Sequence, residues 1–139
     1  MRYLIKFSYD GSNYCGYQRQ KGLNTIQEQL ENALFKINNS KYTPLTATGR
    51  TDKHVHALSQ YAHTDIDVTI TPYKLKRALN SNLPNDIHVI KVYSVKDDFH
   101  ARYNVTSKTY KYLIIRLLFI ELYFLHRPNR RNLLWHYWR

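Results

Sequence analysis

Thr25-Ile26-Gln27-Glu28-Gln29-Leu30-Glu31-Asn32-Ala33-Leu34-Phe35-Lys36-Ile37 is the stretch on which the fold turns. Ile26, Leu30, Ala33, Leu34 and Ile37 recur three or four residues apart, so one side of a helix is apolar. Thr25 and Glu28 form a T-x-x-E capping box, and Asn38-Asn39-Ser40 stops the helix. Such a stripe has to be covered by another layer. Upstream, Arg2–Tyr9 reads as a strand, with Tyr3, Ile5, Phe7 and Tyr9 on one side and Leu4 and Lys6 on the other. The turn residues Asp10-Gly11-Ser12-Asn13 break it, and Cys15–Gly22 reads as a polar loop. Downstream, Thr43–Thr48 reads as a short strand, Gly49–His56 as a polar loop and Ala57–Thr64 as another strand. Thr71 as cap and Pro72 in the first turn begin a second helix, with Leu75, Ala78 and Leu79 inward and Lys74, Lys76 and Arg77 outward. Ile87–Val95, Phe99–Tyr103 and Thr106–Ile115 read as further strands. The order β-α-β-β-α-β predicts an α+β, ferredoxin-like fold, an antiparallel sheet with two helices on one face. RNA-binding sheets often use that order.

Composition narrows the function. The chain has 139 residues with 21 Lys and Arg against 10 Asp and Glu, a formal charge of +11, and it carries 13 Tyr. Cations neutralise phosphates and aromatic rings stack on bases, so nucleic acid is the expected partner. The single Cys15 excludes a disulfide framework and fits a reducing cytosol. The opening MRYLIKFSYDG alternates and carries charge, unlike a signal peptide, and no apolar run reaches the roughly 18 residues of a membrane span. These features predict a cytoplasmic protein without membrane contact. The charge is uneven. After Lys111 every cation is an arginine, both Trp135 and Trp138 lie in this tail, and RLLFIELYFLHRPNRRNLLWHYWR has no clean period of 2 or 3.6. Residues 1–114 therefore read as one α/β unit and 115–139 as an atypical basic, aromatic tail: a frameshift, a truncation or a genuine arm.

The densest polar cluster is Gly49-Arg50-Thr51-Asp52-Lys53-His54-Val55-His56-Ala57, between two candidate strands. Asp52 has Arg50 two residues away and Lys53 beside it, which favours the ionised carboxylate of a nucleophile or general base. A charged turn whose Asp caps its own backbone is the plainer alternative. Asp52, His54 and His56 also offer ligands to a metal, but no later cluster completes a set.

Five colinear motifs go further. YDGSNYCGYQRQ (Tyr9–Gln20), TIQEQLENAL (Thr25–Leu34), GRTDKHVHA (Gly49–Ala57), ALNSNLPNDIHV (Ala78–Val89) and FHARYNVTSKTYKY (Phe99–Tyr112) closely resemble the N-terminal part of the tRNA pseudouridine synthase A (TruA) family. The resemblance implies half of the pseudouridine synthase fold. It implies isomerisation of uridine to pseudouridine in the tRNA anticodon stem-loop, at positions 38, 39 and 40, with no cofactor and no metal. Asp52 takes the place of the catalytic carboxylate, and Tyr110 that of a tyrosine that stacks on the uracil and assists proton transfer. Arg50 would hold the target nucleotide out of the stack. Thr51, Lys53, His56, Gln18, Arg19 and Arg102 are the further candidates for RNA contact, with Lys74, Lys76 and Arg77 as cations that track the backbone.

The sequence also departs from the family pattern. His54 stands where the family has Gly, so a backbone angle reserved for glycine is expected to be strained there. Tyr17 stands where Trp is frequent. Full-length relatives resemble two related halves around a cleft, form homodimers, and supply from the second half a cation that pairs with the catalytic Asp. This polypeptide is therefore expected to have little or no synthase activity. Two other readings stay open: a non-catalytic RNA-binding remnant, and a metal-dependent hydrolase using Asp52, His54 and His56.

Overall fold

The computed structural model describes residues 1–112 and the backbone of 134–137. The elements are β1 (Arg2–Tyr9), a 3-10 turn (Gly11–Asn13), α1 (Ile26–Ile37), β2 (Thr46–Ala47), β3 (His56–Asp65), α2 (Pro72–Asn82), β4 (Ile87–Val95), β5 (Thr109–Tyr112) and β6 (Leu134–Tyr137). The fold is α+β. β1 is central, antiparallel to both β3 and β4, and β2 pairs antiparallel with β3. The resulting order β4-β1-β3-β2 is that of the ferredoxin-like sheet.

Register explains the core. Tyr3, Ile5, Phe7 and Tyr9 of β1 are all buried, and Ile5 lies opposite Ala62 of β3 and Val92 of β4. On the same face Ile26, Leu30, Ala33 and Leu34 of α1 and Leu75 and Leu79 of α2 close the cluster. Both N-cap hydroxyls bond as expected, Thr25 accepting from the Glu28 amide and Thr71 from the Lys74 amide, each at 3.4 Å, while the Glu28 carboxylate faces Arg19 at 3.7 Å instead of closing the capping box.

Three elements differ from expectation. The strand read over Thr43–Thr48 shrinks to Thr46–Ala47, because Thr43 turns inward to receive the Asn38 side-chain amide at 2.9 Å. Phe99–Tyr103 is no strand. The Tyr103 and Asn104 amides both donate to the His100 carbonyl, and the Asn104 side chain accepts from the His100 amide at 2.7 Å, so the chain closes into a turn. The strand read over Thr106–Ile115 appears as β5, and its end beyond Tyr112 lies outside the described residues. So do the boundary near 114 and the arginine-rich tail, apart from β6. That strand runs parallel to β3 at His56–Ser59 and antiparallel to β5, so it extends the otherwise antiparallel sheet on the edge that β2 occupies further along.

Candidate active site and nucleic-acid face

The segment Gly49–Val55 precedes β3 and is gripped by the loop that follows β1. Tyr17 N–H donates to the Thr51 carbonyl at 3.0 Å, and His54 N–H to the Tyr14 carbonyl at 3.3 Å. The Tyr9 hydroxyl meets the Thr51 hydroxyl at 2.8 Å. From below, Gln60, fully buried in β3, donates to the Gly49 carbonyl at 2.8 Å. Two glycines allow this closeness. A Cβ on Gly11 would stand 2.0 Å from the Val55 carbonyl oxygen, and one on Gly16 would stand 2.9 Å from the Thr51 carbonyl oxygen at a backbone φ of +96°. The YDG and YCG glycines are therefore where two loops touch backbone to backbone.

His54 is the residue the sequence marked for strain, and its φ is +66°. A side chain in this left-handed region costs about 1–2 kcal/mol. The imidazole offsets part of this, since its Nδ1 donates to the Ser12 carbonyl at 2.8 Å.

The clamp sorts the candidate residues. Asp52 and Lys53 are exposed on the loop, and Val55 N–H donates to the Asp52 carbonyl at 3.2 Å, closing a tight turn around them. Among the described residues the Asp52 carboxylate forms no ion pair. Thr51 and His56, expected at the RNA surface, are instead buried, 5% and 2% exposed. His56 Nδ1 lies 3.0 Å from the Asp10 carboxylate and 3.3 Å from Gly11 N, so it fastens the turn after β1 to the start of β3. His54 and His56 thus face backbone and Asp10, and among the described residues no group of three or more His, Cys, Asp or Glu is placed to hold a metal ion.

Arg19 is also committed within the protein. Its guanidinium pairs with Glu31 at 3.0 Å and Glu28 at 3.7 Å and lies over the Tyr42 ring. Glu31, only 1% exposed, also receives Gln27, Tyr42 and the Leu45 amide, which explains the Gln and Glu of the TIQEQLE motif. Gln27 accepts from Arg19 N–H at 3.0 Å and donates to the Leu45 carbonyl at 3.2 Å, joining two loops.

Beside the clamp lies a polar cavity of about 380 Å³. Tyr17, Gln18, Gln27, Arg50, Arg102 and Lys108 line it together with the Leu45–Gly49 segment. Gln18, Arg50 and Arg102 were legible as candidates; Tyr17, Gln27 and Lys108 were not. Lys108 lay within the quoted FHARYNVTSKTYKY motif, but as one exposed cation among many. Tyr110 sits on β5, 51% exposed, and lines neither this cavity nor the clamp. The Tyr9 and Tyr17 phenols are pushed well above their ordinary value, chiefly by burial, so both are neutral hydrogen-bonding groups.

A sheet of ferredoxin-like order, with a carboxylate loop clamped at its rim beside a cationic cavity, defines the class: an α+β protein with a polar, cation-lined site at the sheet's edge. A family model described as tRNA pseudouridine synthase matches residues 5–104. The chain is 45% identical over 113 residues to a tRNA pseudouridine synthase A of Shouchella clausii, covering 81% of this chain and 43% of the relative. It is 44% identical over 138 residues to that of Limosilactobacillus fermentum (98% and 51%) and 40% identical over 136 residues to that of a Listeria monocytogenes strain (98% and 52%). The chain belongs to the tRNA pseudouridine synthase family, and it spans about half the length of these curated relatives.

Proposed function

We propose that this chain is the carboxylate-bearing half of a tRNA pseudouridine synthase, acting on uridines of the anticodon arm. The observation that carries the reading is the clamp, which holds Asp52 exposed at the sheet rim beside Arg50 while burying Thr51 between them. In the reaction the bond from ribose C1′ to uracil N1 breaks, the base turns, and C1′ bonds to C5. C5 gives up its proton and N1 gains one, so reactant and product are isomers and no redox partner is required. Asp52 is the group that reacts with the nucleotide, as nucleophile or base. Arg50 reaches the RNA from the other side of Thr51 and supports the extruded nucleotide, whose glycosidic bond is inaccessible inside a helix. Tyr110 stacks on the base, and Lys53 and Gln18 contact RNA at the loop surface.

An isolated ionised carboxylate gains from a cation. Relatives about twice as long have room for a second half to supply one across a cleft, and to dimerise. Among the described residues no helix is long and apolar enough to cross a membrane, and we propose a cytoplasmic location, where tRNA is modified.

The test is a graft. Residues 1–112 replace the corresponding half of the Limosilactobacillus fermentum relative, and unmodified tRNA is mapped for pseudouridine. The expected result is product in the anticodon arm that disappears with Asp52→Ala, and little or none from the 139-residue polypeptide alone. A folded graft that makes no product, or product that survives Asp52→Ala, would overturn the assignment. RNA binding by a folded but inactive graft would favour the non-catalytic reading.

A further inference from the structure

The cavity beside the clamp is small and chemically one-sided. Its volume of about 380 Å³ is at the low end of ligand sites, suited to a single nucleotide unit. Arg50 and, from the segment after β4, Arg102 and Lys108 bring three positive charges, and among the described residues no carboxylate lines it. Glu31, bonded to the lining residue Gln27, has both oxygens taken by Arg19, Tyr42, Gln27 and Leu45. Arg50 and Arg102 enter no ion pair among the described residues. The Tyr17 side chain lines the cavity too. It is 2% exposed, and its hydroxyl has no hydrogen-bond partner among the described residues. That hydroxyl is itself buried, with the Tyr9 phenol and the Glu31 carboxylate near it, so it is part of the cavity wall rather than an open donor. Three cations and no acid among the described lining residues suit an anion in the cavity.

We propose that this cavity is a phosphate subsite, which takes one backbone phosphodiester of the RNA next to the target uridine. This rests on the RNA-modifying reading above. Arg50 and Arg102 present planar donor forks suited to phosphate oxygens, and Lys108 adds a point charge. Position supports an RNA phosphate rather than a free one. Arg50 lines the cavity and Asp52 does not, yet two residues of chain span at most about 7 Å. A group in the cavity and a group at Asp52 therefore lie within reach of one nucleotide or its neighbour, and the subsite would set the register of the strand against the carboxylate.

The test measures binding of an anticodon stem-loop RNA to the full 139-residue chain by fluorescence anisotropy over a range of salt. Arg102→Gln and Lys108→Gln are each expected to weaken binding about tenfold and to flatten the log–log salt dependence by about one released counterion. Lys36→Gln, the same charge change on the far end of α1, should alter neither. A neutral methylphosphonate is then walked along the RNA. At one position it should reproduce the loss in the parent protein and add nothing further to Arg102→Gln, the signature of a shared contact. Wild-type salt slopes in both cation variants would overturn the subsite while RNA binding itself persisted. Displacement of RNA by millimolar inorganic phosphate, with no sensitive methylphosphonate position, would overturn it in favour of a free phosphate. Failure of the parent chain to bind RNA would overturn both the subsite and the broader reading.

Discussion

The clamped segment Gly49–Val55 and the turn Phe99–Asn104 both bring charged side chains to the same rim, and they are held in opposite ways. The first is fixed mainly by backbone and neutral side-chain contacts: backbone amides of Tyr17 and His54, the buried Gln60 amide, the Tyr9 hydroxyl, and two glycines pressed against its carbonyls. The second hangs on groups that carry or can carry charge. Arg2 pairs with Asp65 at 2.8 Å and donates to the Phe99 carbonyl at 2.9 Å. His63 Nδ1 accepts from the Ala101 amide at 3.1 Å, and the His100 ring lies 4.7 Å from that of His63. The Asp52 carboxylate, proposed to react with the nucleotide, is held mainly through backbone and neutral side-chain contacts. Arg102, proposed to reach a phosphate, rests on a turn whose support includes an ion pair and the His63 imidazole.

The sharpest way to break this contrast is at Gly11. Gly11→Ala puts a methyl 2.0 Å from the Val55 carbonyl oxygen, with backbone on both sides. A loss of at least about 3 kcal/mol is expected, read as the chemical-denaturation midpoint. An Ala variant as stable as the parent would mean the two loops do not touch. Thr51→Val is next. It leaves the buried Tyr9 hydroxyl without its partner, at about 1–3 kcal/mol, and should displace Asp52 as well as destabilise.

The turn should answer to pH instead. Burial first, then the neighbouring His100 and Arg2, holds the His63 imidazole below its ordinary 6.5. The unfolded chain takes up a proton as pH falls through about 6.5 while the folded chain resists until lower pH. Stability is thus fully present above 6.5 and declines on acidification down to the depressed folded value. Urea titrations at pH 7.5 and 5.5 should show this decline, and His63→Gln should shrink it. An equal decline in the variant would place the titrating group elsewhere. The smallest effect is expected at His54. His54→Gly relieves the left-handed backbone but loses the bond to Ser12, so stability should change by less than about 1 kcal/mol.

The same contrast explains what could be read in advance. β1, α1, α2 and β4 were visible because period 2 and period 3.6 are local properties, and Thr25 and Thr71 announced the helix starts. Phe99–Tyr103 misled because Phe99, Ala101 and Tyr103 alternate like a strand, while the bonds that bend it come from Asn104, Arg2 and His63. In the site, the Gly49–Ala57 cluster and the oddity of His54 were legible from residue types alone. The burial of Thr51 and His56 was not, since it depends on Tyr9, Asp10 and Gly11 some forty residues away. The pairing of Arg19 was not legible because its partner Glu31 lies a helix turn beyond Gln27, on the buried side of α1. Tyr17 and Lys108 gain meaning only once the turn carrying Arg102 closes against the loop after β1.

The central claim is that the clamp exists to present one carboxylate. Its most direct test is pseudouridine mapping of unmodified tRNA with the grafted half, comparing the parent sequence with Asp52→Ala at matched thermal stability. Product in the parent and none in Asp52→Ala is the predicted result; product in both, with the fold intact, would contradict it.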